Sequence, residues 1–230
     1  MRWYYNMRIS AKLIIGFLTL AVVAGVVGSV ALVNINNMSK ADEELYENNT
    51  LGISYAAEAG LQFQRMRFNG ARLLLFDDSA KRNETIEKIE EHIVNVEKFL
   101  SMYDAGITDE ADRQLFEDLK PKWEKYKSLI NKEVQLVNAL QFDEAKALLV
   151  EDMADAGDTL RDALEALMQY NSAAADQKVD ENKQIAASAS TIMIVVVFIG
   201  VLAAVALGVF ISRIISKPIS QMVEAADRLA

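Results

Sequence analysis

No cysteine occurs in the chain, which excludes disulfide staples, thiolate metal sites, haem attachment and cysteine nucleophiles. Histidine occurs once. A diiron bundle needs a Glu-x-x-His on each of two helices, so His92 cannot build one, and between Glu91 and Ile93 it reads as a surface residue. Glycine-rich phosphate loops and dinucleotide fingerprints are absent. Of the two prolines, only Pro121 lies in the long central segment, and no Gly/Ser-rich linker interrupts it. Strand-like alternation is missing as well. What remains is an all-α chain for which we expect no catalytic residue, no metal ligand and no cofactor.

Two apolar runs are the dominant positive feature. Leu13–Val33 and Thr191–Ile211 each comprise 21 uncharged residues, and at about 1.5 Å of rise per residue each spans a hydrocarbon core of roughly 30 Å. We therefore expect membrane helices at 13–33 and 191–211, bounded by segments 1–12, 34–190 and 212–230. Arg2, Arg8 and Lys12 precede the first run with no acid among them, and Arg213 and Lys217 follow the second. Basic flanks favour the cytoplasm, which places both ends inside a multi-pass inner-membrane protein and residues 34–190 outside. Trp3, Tyr4 and Tyr5 suit the inner headgroup layer. A cleaved signal peptide is the competing reading, since Ser29-Val30-Ala31 resembles a cleavage site. The apolar stretch is, however, longer than a signal core of about 7–15 residues.

The 157-residue loop, 34–190, holds 18 Lys and Arg against 31 Asp and Glu, a net charge of −13. So acidic a domain argues against nucleic acid or anionic lipid as its partner. Its apolar residues recur at helical spacings of three and four. A first helix from about Lys40 to Phe76 has the seam Leu45, Asn49, Gly52, Ala56, Ala59, Phe63, Met66, Gly70, Leu73. After Asp77-Asp78-Ser79, with Asp78 or Ser79 a plausible N-cap, a second from about Ala80 to Tyr103 shows Ile86, Ile89, Ile93, Val96, Leu100, Tyr103, with Gly106 suited to its C-terminal turn. The third starts near Thr108 or Asp109 and carries Phe116, Leu119, Trp123, Tyr126, Ile130, Val137 and Leu140. Pro121 should kink or restart it. Beyond a break at Gln141-Phe142-Asp143, the fourth shows Leu149, Met153, Ala156, Leu160, Ala163, Leu167, Tyr170 and Ala174, weakened only at Gly157, and runs on into the second apolar run. Short connections between four such helices predict an antiparallel, up-down-up-down four-helix bundle flanked by the two membrane helices. Within the spans, Ala21, Gly25, Ser29 and Gly200, Ala204, Gly208 recur every four residues, a pattern that suits close helix packing in a dimer.

Two polar stripes are candidates for binding. Glu151, Asp155, Asp158, Asp162 and Glu165 lie about 200° round the fourth helix from its core positions, which favours a solvated outer face over a cation site. On the first helix, Glu58, Leu61, Arg65, Phe68, Arg72 and Leu75 form a half-apolar, half-basic face beside the seam. In so acidic a domain, Arg65 and Arg72 around Phe68 make a candidate anion site near a protomer contact, since the guanidinium fork binds carboxylates bidentately. The alternative is that both arginines pair with acids of their own bundle.

Certain segments have a family look. Met7-Arg-Ile-Ser-Ala-Lys-Leu-Ile-Ile-Gly-Phe17, Leu45-Tyr-Glu-Asn-Asn-Thr50 and Leu140-Gln-Phe-Asp-Glu-Ala145 resemble the N-terminal half of a methyl-accepting chemotaxis protein with a four-helix-bundle sensor. Residues 212–230, with Pro218-Ile219, Glu224-Ala225-Ala226 and the seam Ile215, Ile219, Met222, Ala226, Leu229, resemble the first helix of a HAMP relay, cut short before its connector and before any cytoplasmic signalling domain. The resemblance implies a homodimer that detects a small ligand or a loaded binding protein outside and signals to a chemotaxis histidine kinase and its coupling protein. It implies relay roles for Arg213, Pro218 and Glu224. By position it places ligand contacts at Arg65, Phe68 and Arg72, with Met153, Ala156 and Thr159 opposite on the fourth helix. A sensor half of a receptor enzyme, either a histidine kinase or a nucleotide cyclase, shares all of these features. So does a ligand-free, membrane-anchored structural bundle.

Overall fold

Local sequence signals set the helix ends. The structure, a computed structural model, describes residues 7–227, with the backbone alone at Ile9, Ile215, 217–222 and 224–227. The interfacial aromatics Trp3, Tyr4 and Tyr5, and the last seam residue Leu229, lie outside the described residues. Helix α1 is Ile9–Glu44, followed by a π-helical segment Leu45–Thr50 and by α2, Leu51–Leu73. Then come α3 (Ser79–Gly106), α4 (Glu110–Asn138), α5 (Phe142–Val150) and α6 (Asp152–Asp227). Asp78 caps α3 by accepting from the Ala80 N–H at 2.8 Å, and Asp109 caps α4 by accepting from the Asp112 N–H at 2.9 Å. Each satisfies a helix-end donor that would otherwise lack a partner.

Three expectations about breaks are corrected. The restart expected at Pro121 is not seen, since the proline lies within an uninterrupted α4. It is exposed, so water can serve the carbonyl that loses its donor. Gly106 ends α3 inside the helix, and Ile107 leaves in an extended conformation (φ −72°, ψ 121°). The turn that needs a left-handed residue is instead at Leu140, φ 59°. The fourth bundle helix runs unbroken through Gly157, as expected, but it is interrupted at Glu151 (φ −98°, ψ −83°), which separates α5 from α6 where an unbroken helix was expected.

The chain divides into two units, residues 41–180 and residues 1–40 with 181–230. The first unit is an all-α four-helix bundle built from α2, α3, α4 and the α5–α6 pair. Its core is Ala56, Ala59, Phe63, Met66 and Leu73 from α2, Ile89, Val96, Leu100 and Tyr103 from α3, Phe116, Leu119, Trp123, Tyr126, Ile130 and Val137 from α4, Ala145 and Leu148 from α5, and Met153, Ala156, Leu160, Ala163, Leu164 and Leu167 from α6. All but Ala145, Leu148 and Leu164 were seam residues in the sequence. Phe63 meets Tyr126 edge-on at 4.9 Å between centroids, and Tyr103 stacks on Phe116 at 5.5 Å. One end of the bundle carries the hairpin turns at 74–78 and 139–141; at the other the chain enters and leaves.

The second unit contains the apolar parts of α1 and α6, two helices long and apolar enough to cross a membrane. They approach closely at glycines. A Cβ at Gly16 would lie 2.5 Å from Ile211 Cδ1, and one at Gly200 would lie 2.9 Å from Val23 Cγ1. Gly25 and Gly208, by contrast, face open space. Small residues thus serve contacts within the chain at some positions and leave a free surface at others.

Candidate functional site

At the hairpin end of the bundle, α2 presents the basic face read from the sequence. The Arg72 guanidinium carbon lies 5.5 Å from the Phe68 ring centroid and 5.1 Å from that of Phe76, and Nη1 donates to the buried Asn69 Oδ1 at 3.5 Å. Flat guanidinium against aromatic faces is a favourable cation–π arrangement. Among the described residues, neither Arg65 nor Arg72 forms an ion pair with an acid. Arg65 and Phe68 are exposed and Arg72 half-buried. The structure thus brings Phe68 and Arg72 together, with Phe76 as a further wall that the sequence reading did not include. Arg82 stands close by but is committed: Nη1 donates to the Phe76 and Asp77 carbonyls at 2.9 and 2.8 Å, and the guanidinium lies over Phe142. It ties the two hairpin turns together.

Thr159 does not join this group. It is exposed, and its hydroxyl donates to the Asp155 carbonyl of its own helix at 2.8 Å. The contact from α6 to α2 is made instead by Asp158, which pairs with Arg67 at 3.7 Å. The pair sets Arg67 opposite Asp158, close to the facing of Arg65, Phe68 and Arg72 by Thr159, Ala156 and Met153 expected by position. Arg67, half-buried, crosses Gly157, where a Cβ would lie 3.2 Å from the guanidinium carbon, and stands over the Phe63 ring at 5.6 Å. Glycine at 157 therefore allows an arginine to lie flat across α6. A lone glycine on a helical seam was the available signal.

The acidic stripe of α6 is exposed throughout. Arg161 partners it, reaching Asp158 at 3.1 Å, Asp162 at 2.7 Å and Glu165 at 3.8 Å. His92 is not a simple surface residue, contrary to expectation. It is half-buried at the α2–α3 contact, with Nδ1 2.8 Å from Oε1 of the buried Gln62. Burial, helped by the Arg65 charge and opposed by Glu91, holds its pKa below the usual imidazole value. Arg213 is exposed on α6, whose helical backbone continues through Pro218 and Glu224.

The entry-and-exit end carries a buried polar cluster that sequence patterning missed. The Tyr103 hydroxyl donates to Asp112 Oδ1 at 2.5 Å, and Asn171 Nδ2 donates to the Tyr103 oxygen at 2.5 Å and the Leu167 carbonyl at 3.1 Å. A Cβ at Gly52 would lie 2.8 Å from Asn171 Oδ1. The cluster therefore joins α3, α4 and α6 and needs glycine on α2. Tyr170 donates to the cap residue Asp109 at 2.7 Å. Burial pushes the Asp112 carboxyl up, against the lowering effect of Tyr103 and Asn171. At Asp109 burial is outweighed by the Asp112 N–H, the Tyr170 hydroxyl and the Ala111 N–H, which hold it low.

Comparison with known proteins fits this architecture. Residues 6–186 match the four-helix-bundle sensory module for signal transduction. Over 165 residues the chain is 59% identical to a protein of Acetivibrio thermocellus named as a sensory transducer, an alignment covering 72% of this chain and 29% of that one. It is 22% identical over 225 residues to YvaQ of Bacillus subtilis, also named as a sensory transducer, covering 98% of this chain and 40% of that one. The chain thus spans well under half the length of the curated relatives it matches.

Proposed function

Because the chain belongs to the four-helix-bundle sensory modules for signal transduction, we propose that it is the sensing and transmembrane part of a chemoreceptor that detects a small anion outside the cell. The observation that carries this reading is Arg72. It is a half-buried guanidinium held between Phe68 and Phe76, with no carboxylate on it, in a domain of net charge −13. No acid lies within ion-pair distance of it, although the exposed Glu84 senses its charge, and the donors of its fork not turned to Asn69 are ready partners for a ligand carboxylate. Arg65, exposed one helical repeat away on the same face, adds positive potential.

In this reading 34–190 lies outside, 13–33 and 191–211 cross the inner membrane, and 212–230 begins a HAMP relay. The exposed Leu61 and Phe68, seven residues apart on α2, and Leu75 in the turn after it supply the contact with a second protomer. Ligand binding favours one of two settings of α6. The same helix carries core residues of the bundle and the second apolar run, which supports a relay through it to a histidine kinase and coupling protein. A ligand must bind one setting better than the other for anything to be transmitted.

Thermal-shift screening of the chain in nanodiscs against small carboxylates tests the proposal. At least one acid should raise the melting temperature of the wild type and not that of Arg72→Ala. A screen in which every stabilising compound acts equally on both proteins would remove the anion reading.

Orientation is tested separately. Single cysteines placed at Ser10 and Ser212 should be labelled only from the cytoplasm, and one at Asp109 only from outside. Labelling at Asp109 from the cytoplasmic side would reverse the topology.

A further inference from the structure

The core seam of α4 reads Phe116, Leu119, Trp123, Tyr126, Ile130, Glu133, Val137, and six of these seven are aromatic or aliphatic. Glu133 is the exception. It is 0% exposed, and neither carboxyl oxygen has a hydrogen-bond partner. The facing helix makes room for it: a Cβ at Gly70 of α2 would lie 2.8 Å from Glu133 Oε2. An unpaired carboxylate is among the costliest groups to bury, whereas a neutral carboxyl costs far less.

The surroundings offer no counter-charge. The buried residues of α2 are apolar apart from the neutral side chains of Gln62 and Asn69. Those of α3 are Thr85, Ile89, Val96, Leu100 and Tyr103, and those of α5 are Ala145 and Leu148. On α6, among the described residues, the only buried polar side chain is Asn171, already bonded in the cluster at the other end. On α4 itself the Tyr126 phenol senses the Glu133 charge, and Asp112 lies six turns away in the same distant cluster. The half-buried cations of α2, Arg67 and Arg72, are directed to Asp158 and to Asn69 with its flanking rings.

We propose that Glu133 is a proton-binding site in the sensor core: protonated, it lets α4 close on Gly70 of α2, and ionised, it loosens that contact. Gly70 is two residues from Arg72, so the proton and the anion-binding face act on the same stretch of α2. The inference stands whether or not Arg72 binds an anion.

Burial alone raises the Glu133 pKa from its ordinary 4.5 to about 7. The packed state therefore binds more protons than the open one between these values. Stability from this group is fully present below about pH 4.5, declines as pH rises through about 7 and falls no further above it.

The test compares the full chain in nanodiscs with Glu133→Gln and Glu133→Met, two neutral side chains of similar length. The melting temperature of the bundle, followed by circular dichroism, should be similar for all three near pH 5. Near pH 8 it should be higher in the variants than in the wild type, by several degrees. A difference that is the same at both pH values would overturn the proposal. Should neither variant fold, infrared difference spectra of the wild type decide directly. The carbonyl band of a protonated carboxyl should disappear as pH rises through about 7; a chain without that band at pH 6 would overturn it.

Discussion

Replacing Arg72 by alanine should weaken binding of a small carboxylate roughly thirty- to thousandfold. The substitution removes one partner of a charge-assisted, partly desolvated pair, a loss of about 2–4 kcal/mol. It removes no core hydrophobe, because Arg72 lies against Phe68 and Phe76, touches Asn69 at the long distance of 3.5 Å and acts on the exposed Glu84 through its charge. Helicity and melting temperature without ligand should therefore stay close to wild type. Arg72→Lys should also bind weakly, since an ammonium neither reproduces the planar fork nor lies flat between two rings. Calorimetry with the acid found in the thermal-shift screen measures both variants. Wild-type affinity in Arg72→Ala would reduce the guanidinium to a packing element of the hairpin end.

At the opposite end of the bundle, Asp112→Leu should destabilise the sensor by about 2–4 kcal/mol, since it strips the acceptor from a buried phenol and leaves a buried amide less well satisfied. In melting temperature that is roughly 10 °C for a unit of this size. Asp112→Asn keeps an acceptor oxygen for the Tyr103 hydroxyl and should cost less than half as much. Because Asp112 is pushed up by burial, its charge adds nothing to stability at high pH, and acid should not unfold the bundle through it. Asp109 has the opposite sign. Its pKa is depressed, so its contribution is present above the ordinary aspartate value of 3.8 and is lost as pH falls through the lower folded value. Melting curves of the two Asp112 variants decide the point, and equal curves for leucine and asparagine would show that the cluster does not hold the helices.

The apolar framework was legible because it obeys one rule. Ala56, Ala59, Phe63, Met66, Gly70 and Leu73 recur at spacings of three and four, and all six are buried. The helix starts were legible only to within a residue: Asp78 was one of two cap candidates with Ser79, and Asp109 one of two candidate starts with Thr108, because Asp, Ser and Thr can all cap. What escaped were polar residues on the inside. Gln62, Asn69, Asp112, Glu133 and Asn171 are buried, yet pattern reading assigns polarity to the surface. Glu133 could have been found, for it fills the gap between Ile130 and Val137 on an otherwise unbroken seam. Arg67 was passed over for Arg65 and Arg72, because the seam places it beside the core and only Gly157 on a distant helix lets it lie there. The break at Glu151 carries no proline or glycine and leaves no mark in composition. At the candidate site, sequence supplied the stripe of Arg72 and Phe68, while the second aromatic wall, Phe76, depends on how the chain turns after Leu73.

The π-helical segment Leu45–Thr50 has a mechanical corollary. A π turn holds one residue more than the α turn it replaces, so side chains beyond it are offset by about 100° around the axis from where an unbroken α-helix would put them. Leu45 and Asn49 are only half-buried there, while the core proper begins at Ala56. The segment is thus a phase shifter between α1 and α2. Tightening it to α geometry, or moving the wide turn along the chain, would rotate one helix against the other without breaking either. No residue of the segment is buried, so a rotation taken up there would leave the core packing in place, whereas the same rotation applied within α2 would have to unseat Phe63 and Met66.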